Sequence, residues 1–186
     1  MAGLSFPPLR SARVHEACGP AATSFAAAMG AKAQGYVFWV FEARRAEALV
    51  PQCLNSFFDV ANLVLAQAPN QKEALPLAEE ALRDGACPLV VIELSASLSL
   101  TEGRRLQLAA KAGGSTGLCL IPGNMPNNTA ETRWDCSALP DPDRGPEDST
   151  LQRWALTKNK SGTLGVWNVR WDQSARRLIV VSASRE

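Results

Sequence analysis

Residues 12–121 alternate between short, bulky apolar runs and longer stretches with helical spacing, and this alternation constrains the fold more than any other feature. The run at 36–42 is Tyr, Val, Phe, Trp, Val and Phe closed by Glu42, and the run at 89–93 is Leu, Val, Val and Ile closed by Glu93. Consecutive side chains of a strand point to opposite faces, so a run apolar at every position must be covered on both sides. A parallel sheet with helices on both faces does this, and strand–helix alternation is its sequence pattern. The expected class is therefore α/β.

Further strands are expected at 12–16, 61–67 and 116–121, and helices at 21–32, 43–57, 70–83 and 101–112. Pro51 falls inside the second of these helices and marks either a break or a late start, because proline lacks the N–H a helix interior needs. Asn70 caps the third, with Ala74, Leu77, Ala78, Ala81 and Leu82 as its apolar face and Gly85 as its stop. Thr101 caps the fourth, which closes at Gly113-Gly114. With 186 residues, 46% hydrophobic and 20% charged, the chain has the size and composition of a single domain spanning 1–186.

The text changes after Ile121. Residues 126–150 carry Glu131, Asp135, Asp141, Asp143, Glu147 and Asp148 against Arg133 and Arg144, and prolines recur through the stretch. This predicts an acidic loop, with one candidate strand at 132–136. The segment 151–186 is basic instead, with Arg153, Lys158, Lys160, Arg170, Arg176, Arg177 and Arg185 against Asp172 and Glu186. Its alternating pattern, broken by turns at 160–163 and 172–175, predicts an antiparallel meander added to the parallel core of residues 1–125. Parity puts Trp167, Val169 and Trp171 on one face, expected to be core.

The net charge of +1 excludes a polycationic nucleic-acid coat. No apolar stretch approaches the ~20 residues of a membrane span, and residues 1–10 show no signal-peptide pattern, so a cytoplasmic chain without membrane contact is expected. Cys18, Cys53, Cys87, Cys119 and Cys136 stand singly, with no C-x-x-C pair, and are expected as small buried hydrophobes. With one histidine, His15, no histidine-based metal site can form; a hydrogen-bonded structural role is expected for it, and neither metal nor cofactor for the chain.

The junction after the first strand is where a nucleotide-binding α/β fold would cradle phosphate. It reads Gly19-Pro20-Ala21-Ala22-Thr23-Ser24-Phe25-Ala26. A P-loop needs a second glycine, a lysine and a hydroxyl, and Ser24, Phe25 and Ala26 hold those places. Little or no ATP hydrolysis is expected, which leaves Gly19, Pro20, Glu42 and Glu93 as a vestigial nucleotide site.

The order of these motifs resembles the RecA recombinase core: a strand into a degenerate P-loop, a second strand ending in Glu42, a Walker B-like strand ending in Glu93, and a late strand closing Lys158-Asn159-Lys160. Within that superfamily the chain is similar to the ImuA family. The likeness is carried by Val14-His15-Glu16, by Glu79-Glu80-Ala81-Leu82-Arg83-Asp84-Gly85-Ala86, by Ser99-Leu100-Thr101, by Arg133-Trp134 and by the stretch from Trp154 to Asn159. Most specific is Arg104-Arg105-Leu106-Gln107-Leu108-Ala109-Ala110-Lys111-Ala112-Gly113-Gly114. The resemblance implies a RecA-like three-layer αβα core and an accessory role in SOS mutagenesis, or translesion DNA synthesis, alongside ImuB and an error-prone DNA polymerase.

Arg104, Arg105 and Lys111 on one helix, with Trp154, Lys158 and Lys160 in the tail, are the candidate DNA- or partner-binding residues. Interleaved cations and aromatics suit single-stranded DNA, and Trp and Arg equally suit a protein interface. The leading expectation is a non-catalytic adaptor that bridges ImuB, the polymerase and RecA or DNA. A divergent RecA-type ATPase and an inhibitor that caps RecA filaments are the alternatives.

Overall fold

The computed structural model describes residues 6–43, 49–123, 129–141 and 151–185. Five strands, β1 (Val14–Cys18), β2 (Val37–Glu42), β3 (Leu63–Ala68), β4 (Leu89–Glu93) and β5 (Thr116–Leu120), form the parallel half with β6 (Thr132–Ala138). The meander β7 (Gln152–Asn159), β8 (Gly165–Asp172) and β9 (Arg177–Arg185) continues the sheet antiparallel from β6. All nine belong to one sheet in the order β3-β2-β4-β5-β1-β6-β7-β8-β9. The expected parallel core with an antiparallel addition is thus what forms.

The candidate strand at 132–136 forms and runs two residues further, to Ala138, as β6. It pairs parallel with β1 on one side and antiparallel with β7 on the other. Its inward residues Thr132, Trp134 and Cys136 are buried, and the polar residues around them face outward. Residues 126–128 and 142–150 of the stretch 126–150, with Asp143, Arg144, Glu147 and Asp148, lie outside the described residues. Asp141 at its described end pairs with Arg170, through Arg170 Nε to Asp141 Oδ2 at 2.7 Å.

Helices cover both faces of the parallel half. On one side, α1 (Ala22–Lys32) and the short α2 (Pro51–Leu54) share a core with Trp39, Val91, Leu118, Trp134, Trp154 and Trp167. On the other, α3 (Gln71–Asp84) and α4 (Leu100–Gly113) pack Ala78, Leu82, Leu106 and Ala110 on Val40, Val90, Ile92 and Cys119. Phe25 through Gly30 of α1 are all buried, which a helix with only one covered face could not achieve. The meander curls over it: Phe25 lies 4.8 Å from Trp154, centroid to centroid, and α1 also touches β9. Its alanines and Gly30 let the strands and Phe58 pack close against it.

Three local expectations shift. The helix expected over 43–57 forms only at Pro51–Leu54, with Pro51 at its first turn where a missing N–H costs nothing, and residues 44–48 lie outside the described residues. The cap of α4 is Ser99, whose hydroxyl accepts from the Glu102 amide while Glu102 accepts from Ser99, a reciprocal capping box. The buried face of α3 is Ala74, Leu75, Ala78 and Leu82, which leaves Leu77 43% exposed.

His15 takes its structural role. It is fully buried; its Nε2–H donates to the Arg10 carbonyl at 3.0 Å, so Nδ1 is the acceptor facing Thr132 Oγ1 at 2.7 Å. Thr132 in turn accepts from Trp134 Nε1 at 3.0 Å, giving a closed chain of three side chains. Of the cysteines, Cys119 and Cys136 are buried as expected, Cys18 and Cys87 are half-buried, and Cys53 is exposed on α2.

Candidate functional site

The carboxyl ends of β1, β2 and β4 lie along one edge of the parallel sheet, where a doubly wound fold places its ligand crevice. Only Gly19, Pro20 and Ala21 separate β1 from α1. Gly19 adopts φ +90°, and a Cβ there would sit 2.4 Å from the Cys136 carbonyl oxygen. That carbonyl accepts the Ala21 N–H at 3.0 Å, so an amide at the mouth of α1 bonds to β6. The turn after β1 is thus packed directly against β6.

Glu42 and Glu93 end neighbouring strands, yet the strand period sends them to opposite faces. Glu93 follows Leu89 and Val91 onto the α1 side, is 6% exposed and accepts from the Trp39 indole Nε1 at 2.7 Å. Glu42 follows Val40 onto the α3 side and accepts from the Ser95 amide at 3.2 Å, an amide it shares with Gln71 Oε1 at 3.1 Å. The two carboxylates therefore do not converge. Among the described residues no group of three or more His, Cys, Asp or Glu side chains is placed to hold a metal ion. No helix among them is long and apolar enough to cross a membrane.

The second group of candidates centres on α4. Its inner face carries Leu106, Ala109 and Ala110 into the core. Gln107 pins it to β1: its side-chain oxygen accepts from the Val14 amide at 3.2 Å, and its Nε2 donates to the carbonyls of Val14 and Thr129, each at 3.1 Å. The opposite stripe, Leu100, Arg104, Leu108 and Lys111, has the spacing of one helix face and is exposed, Leu100 at 70% and Leu108 at 62%. A cleft of about 290 Å³ beside it is lined by Leu100, Thr101, Arg104, Arg105, Leu108 and Thr129. Lys160 reaches the same place, with its Nζ donating to the Thr129 carbonyl at 2.7 Å.

Lys158 and Trp154 lie away from this patch, and Arg105, which lines its cleft, is already engaged. Arg105 is bound to Glu79 of α3 at 2.6 Å, and Glu79 also takes Arg83, so this arginine ties two helices together. Lys158 lies by the β6 bulge opposite Arg133, and burial lowers its ammonium pKa. Trp154 is a correction: expected as a binding aromatic, it is 2% exposed, with its Nε1 donating to Gln152 Oε1 at 2.9 Å. All five tryptophans are buried, Trp39, Trp134, Trp167 and Trp171 included, which removes them as stacking platforms. Burial satisfies a large aromatic better than any surface role: Trp154 packs on Phe25 of α1, and Trp171 stacks on Phe57 and donates its Nε1 to the Ser56 carbonyl at 3.0 Å. The exposed pair Leu100 and Leu108 went unnoticed in the sequence; two leucines eight apart on a helix's charged stripe were the available signal.

No family model matches the chain. Two curated relatives, both called Protein ImuA and from two strains of Caulobacter vibrioides, are each 32% identical over 148 residues. The match takes in 72% of this chain and 59% of each relative, so the chain spans about six tenths of their length. Among solved structures, SulA from Pseudomonas aeruginosa shares the fold at a TM-score of 0.50 and 23% identity, covering 59% of this chain and 98% of SulA. The chain belongs to the ImuA family.

Proposed function

We propose that this chain is a non-catalytic accessory protein of damage-induced mutagenesis, a RecA-type core whose nucleotide site has closed and whose outer surface docks protein partners. The observation that carries the reading is the stripe on α4. Arg104 and Lys111 have no carboxylate partner among the described residues, and two leucines stand in water between and beside them. Burying both leucines against a partner would contribute roughly 3–6 kcal/mol before the costs of association. With Lys160 alongside, the patch fits an acidic, leucine-rich surface. By family, ImuB is the first candidate for it and the error-prone polymerase the next, in the cytoplasm.

A protein partner is favoured over single-stranded DNA because the buried tryptophans leave the cations without aromatic platforms beside them. The turn at Gly19-Pro20-Ala21 and the divergent Glu42 and Glu93 favour an adaptor over an ATPase. The test is co-purification of ImuB with the intact chain and with an Arg104→Glu/Lys111→Glu variant, beside a titration with ATP and magnesium. Arg105 is left alone because reversing it would face Glu79 and unsettle the α3–α4 contact. Capture of ImuB by the wild type, its loss in the variant and a flat nucleotide titration are expected. Unchanged capture by the variant would refute the α4 interface, and micromolar magnesium-dependent ATP binding would refute the non-catalytic reading.

A further inference from the structure

A helix that packs on a sheet ordinarily turns its apolar side chains inward and its charged ones to solvent. α4 buries Gly103, Leu106, Ala109 and Ala110, yet it also sets Leu100 and Leu108 on its outer face, 70% and 62% exposed. Eight residues apart, these leucines stand roughly 12 Å from each other along the axis. Arg104 lies one turn from each, and Lys111 is exposed on the same stripe. Glu102, the carboxylate of the first turn, falls on the opposite side of the helix and is occupied in the capping box. There its Oε2 accepts from the Ser99 amide and from the Ser99 hydroxyl, each at 2.7 Å.

The wall of the adjoining cleft is fixed in place. Thr129, just before β6, lies against Gly103, where an added Cβ would come within 2.4 Å of Thr129 Oγ1. Its carbonyl accepts from Gln107 Nε2 at 3.1 Å and from Lys160 Nζ at 2.7 Å, so both its lone pairs are engaged. Within α4 the amides from Gly103 onward bond to carbonyls one turn back, beginning with Gly103 to Ser99 at 3.0 Å. An extended partner takes its affinity from main-chain pairing and finds no ladder to join here. A helix satisfies its own backbone and needs only side chains, which is what this face offers. Arg104, Lys111 and Lys160 set the partner's charge. A second copy of this chain would bring those cations against their own equivalents, like charge to like. A phosphate backbone would complement them but leave Leu100 and Leu108 in water.

We propose that α4 and the cleft beside Thr129 receive an acidic amphipathic helix of a partner protein. Apolar residues of that helix, spaced i, i+4 and i+7, cover Leu100 and Leu108, and Asp or Glu residues flanking them meet Arg104, Lys111 and Lys160. Such a helix rests on the reading of α4 as an interface and gives that interface an occupant of definite shape and charge. Leu100, Arg104 and Leu108 form one ridge of fourth residues, which a partner helix seats between its own rows at an axial separation of about 8–10 Å. Thr129 is held by Gln107 and Lys160 before any partner arrives, so this wall needs no ordering on binding.

The experiment selects random hexadecapeptides displayed on phage against the intact chain, with excess Arg104→Glu/Lys111→Glu variant in solution to subtract peptides that bind elsewhere. Enriched sequences are made as synthetic peptides and followed by fluorescence anisotropy and circular dichroism. They are expected to carry apolar residues at helical spacing and a net negative charge, and to gain helicity on binding. Leu100→Ala and Leu108→Ala should each weaken binding roughly tenfold, and Arg177→Glu on β9 should leave it unchanged. Two leucine positions, both exposed, keep the test valid if either variant loses stability. Peptides that alternate apolar and polar residues and stay non-helical when bound would overturn the proposal, as would a selection with no peptide that tells wild type from variant. Tighter binding of oligothymidylate than of any enriched peptide, lost in the variant, would overturn it in favour of nucleic acid. A wild-type dimer in sedimentation velocity that Leu108→Ala dissociates would overturn it in favour of a second copy. Loss of ImuB capture in the α4 variant without any helical peptide keeps the interface and refutes the helix. Helical peptides beside unchanged ImuB capture uphold the helix and place ImuB elsewhere.

Discussion

Replacing Gly19 by alanine tests whether the turn after β1 is packed against β6. The residue sits at φ +90°, and an added Cβ would lie 2.4 Å from the Cys136 carbonyl oxygen, a backbone atom of a paired strand that cannot swing aside. A non-glycine residue in the left-handed region costs roughly 1–2 kcal/mol. Relieving the clash moves the turn off β6 and sacrifices the Ala21 N–H bond to Cys136, worth roughly 0.5–1.5 kcal/mol. The expected loss is about 2–3 kcal/mol, or roughly 4–12 °C in Tm for a domain of this size. Gly114→Ala is the internal control: its φ is +73°, but nothing lies within 4 Å of the new Cβ, so only the conformational part, about 1 kcal/mol, is expected. Urea unfolding followed by tryptophan fluorescence measures both. Equal losses in the two variants would refute the contact with β6, and with it one support for the proposed non-catalytic reading.

Three further outcomes are expected. Trp154→Ala should cost about 3–5 kcal/mol in chemical denaturation, because its indole packs on Phe25 and Phe6 in the core; a surface role would cost almost nothing. His15 has its pKa lowered from 6.5, first by burial, so the folded state holds it neutral while the unfolded chain takes a proton. Its contribution is therefore complete above about pH 6.5 and is lost as pH falls; urea midpoints from pH 7.5 to 5 should drop in the wild type and flatten in His15→Gln. Native-state maleimide labelling should reach Cys53 first and leave Cys119 and Cys136 untouched, since burial both hides those thiols and raises their pKa; fast labelling that survives Cys53→Ser would contradict this.

Much of this molecule is legible in its residues one segment at a time. The doubly apolar runs of β2 and β4 could only be strands covered on both sides, and the parity of Trp167, Val169 and Trp171 pointed at a core. That no P-loop lysine and hydroxyl follow Gly19 is likewise a matter of which residues stand there. These features are local, governed by a period of two or 3.6 and by single side chains, so a linear text carries them.

What the text could not carry depends on residues far apart in the chain. That Cys136 of β6 closes the turn after β1 is a contact across more than a hundred residues. Glu42 and Glu93 read as a pair until the register of β2 against β4 and the sheet's two sides sent them apart. Arg105 was one of three equal cations until α3 brought Glu79 to it, and Trp154 was a surface candidate until the meander wrapped α1. Which strand lies at an edge follows from the order of the whole sheet. The short-range periodicities of the sequence therefore determined the elements and most of their buried faces. Long-range pairing, which alone fixes who meets whom, decided which charges are spent, which aromatics are hidden and which surfaces stay free.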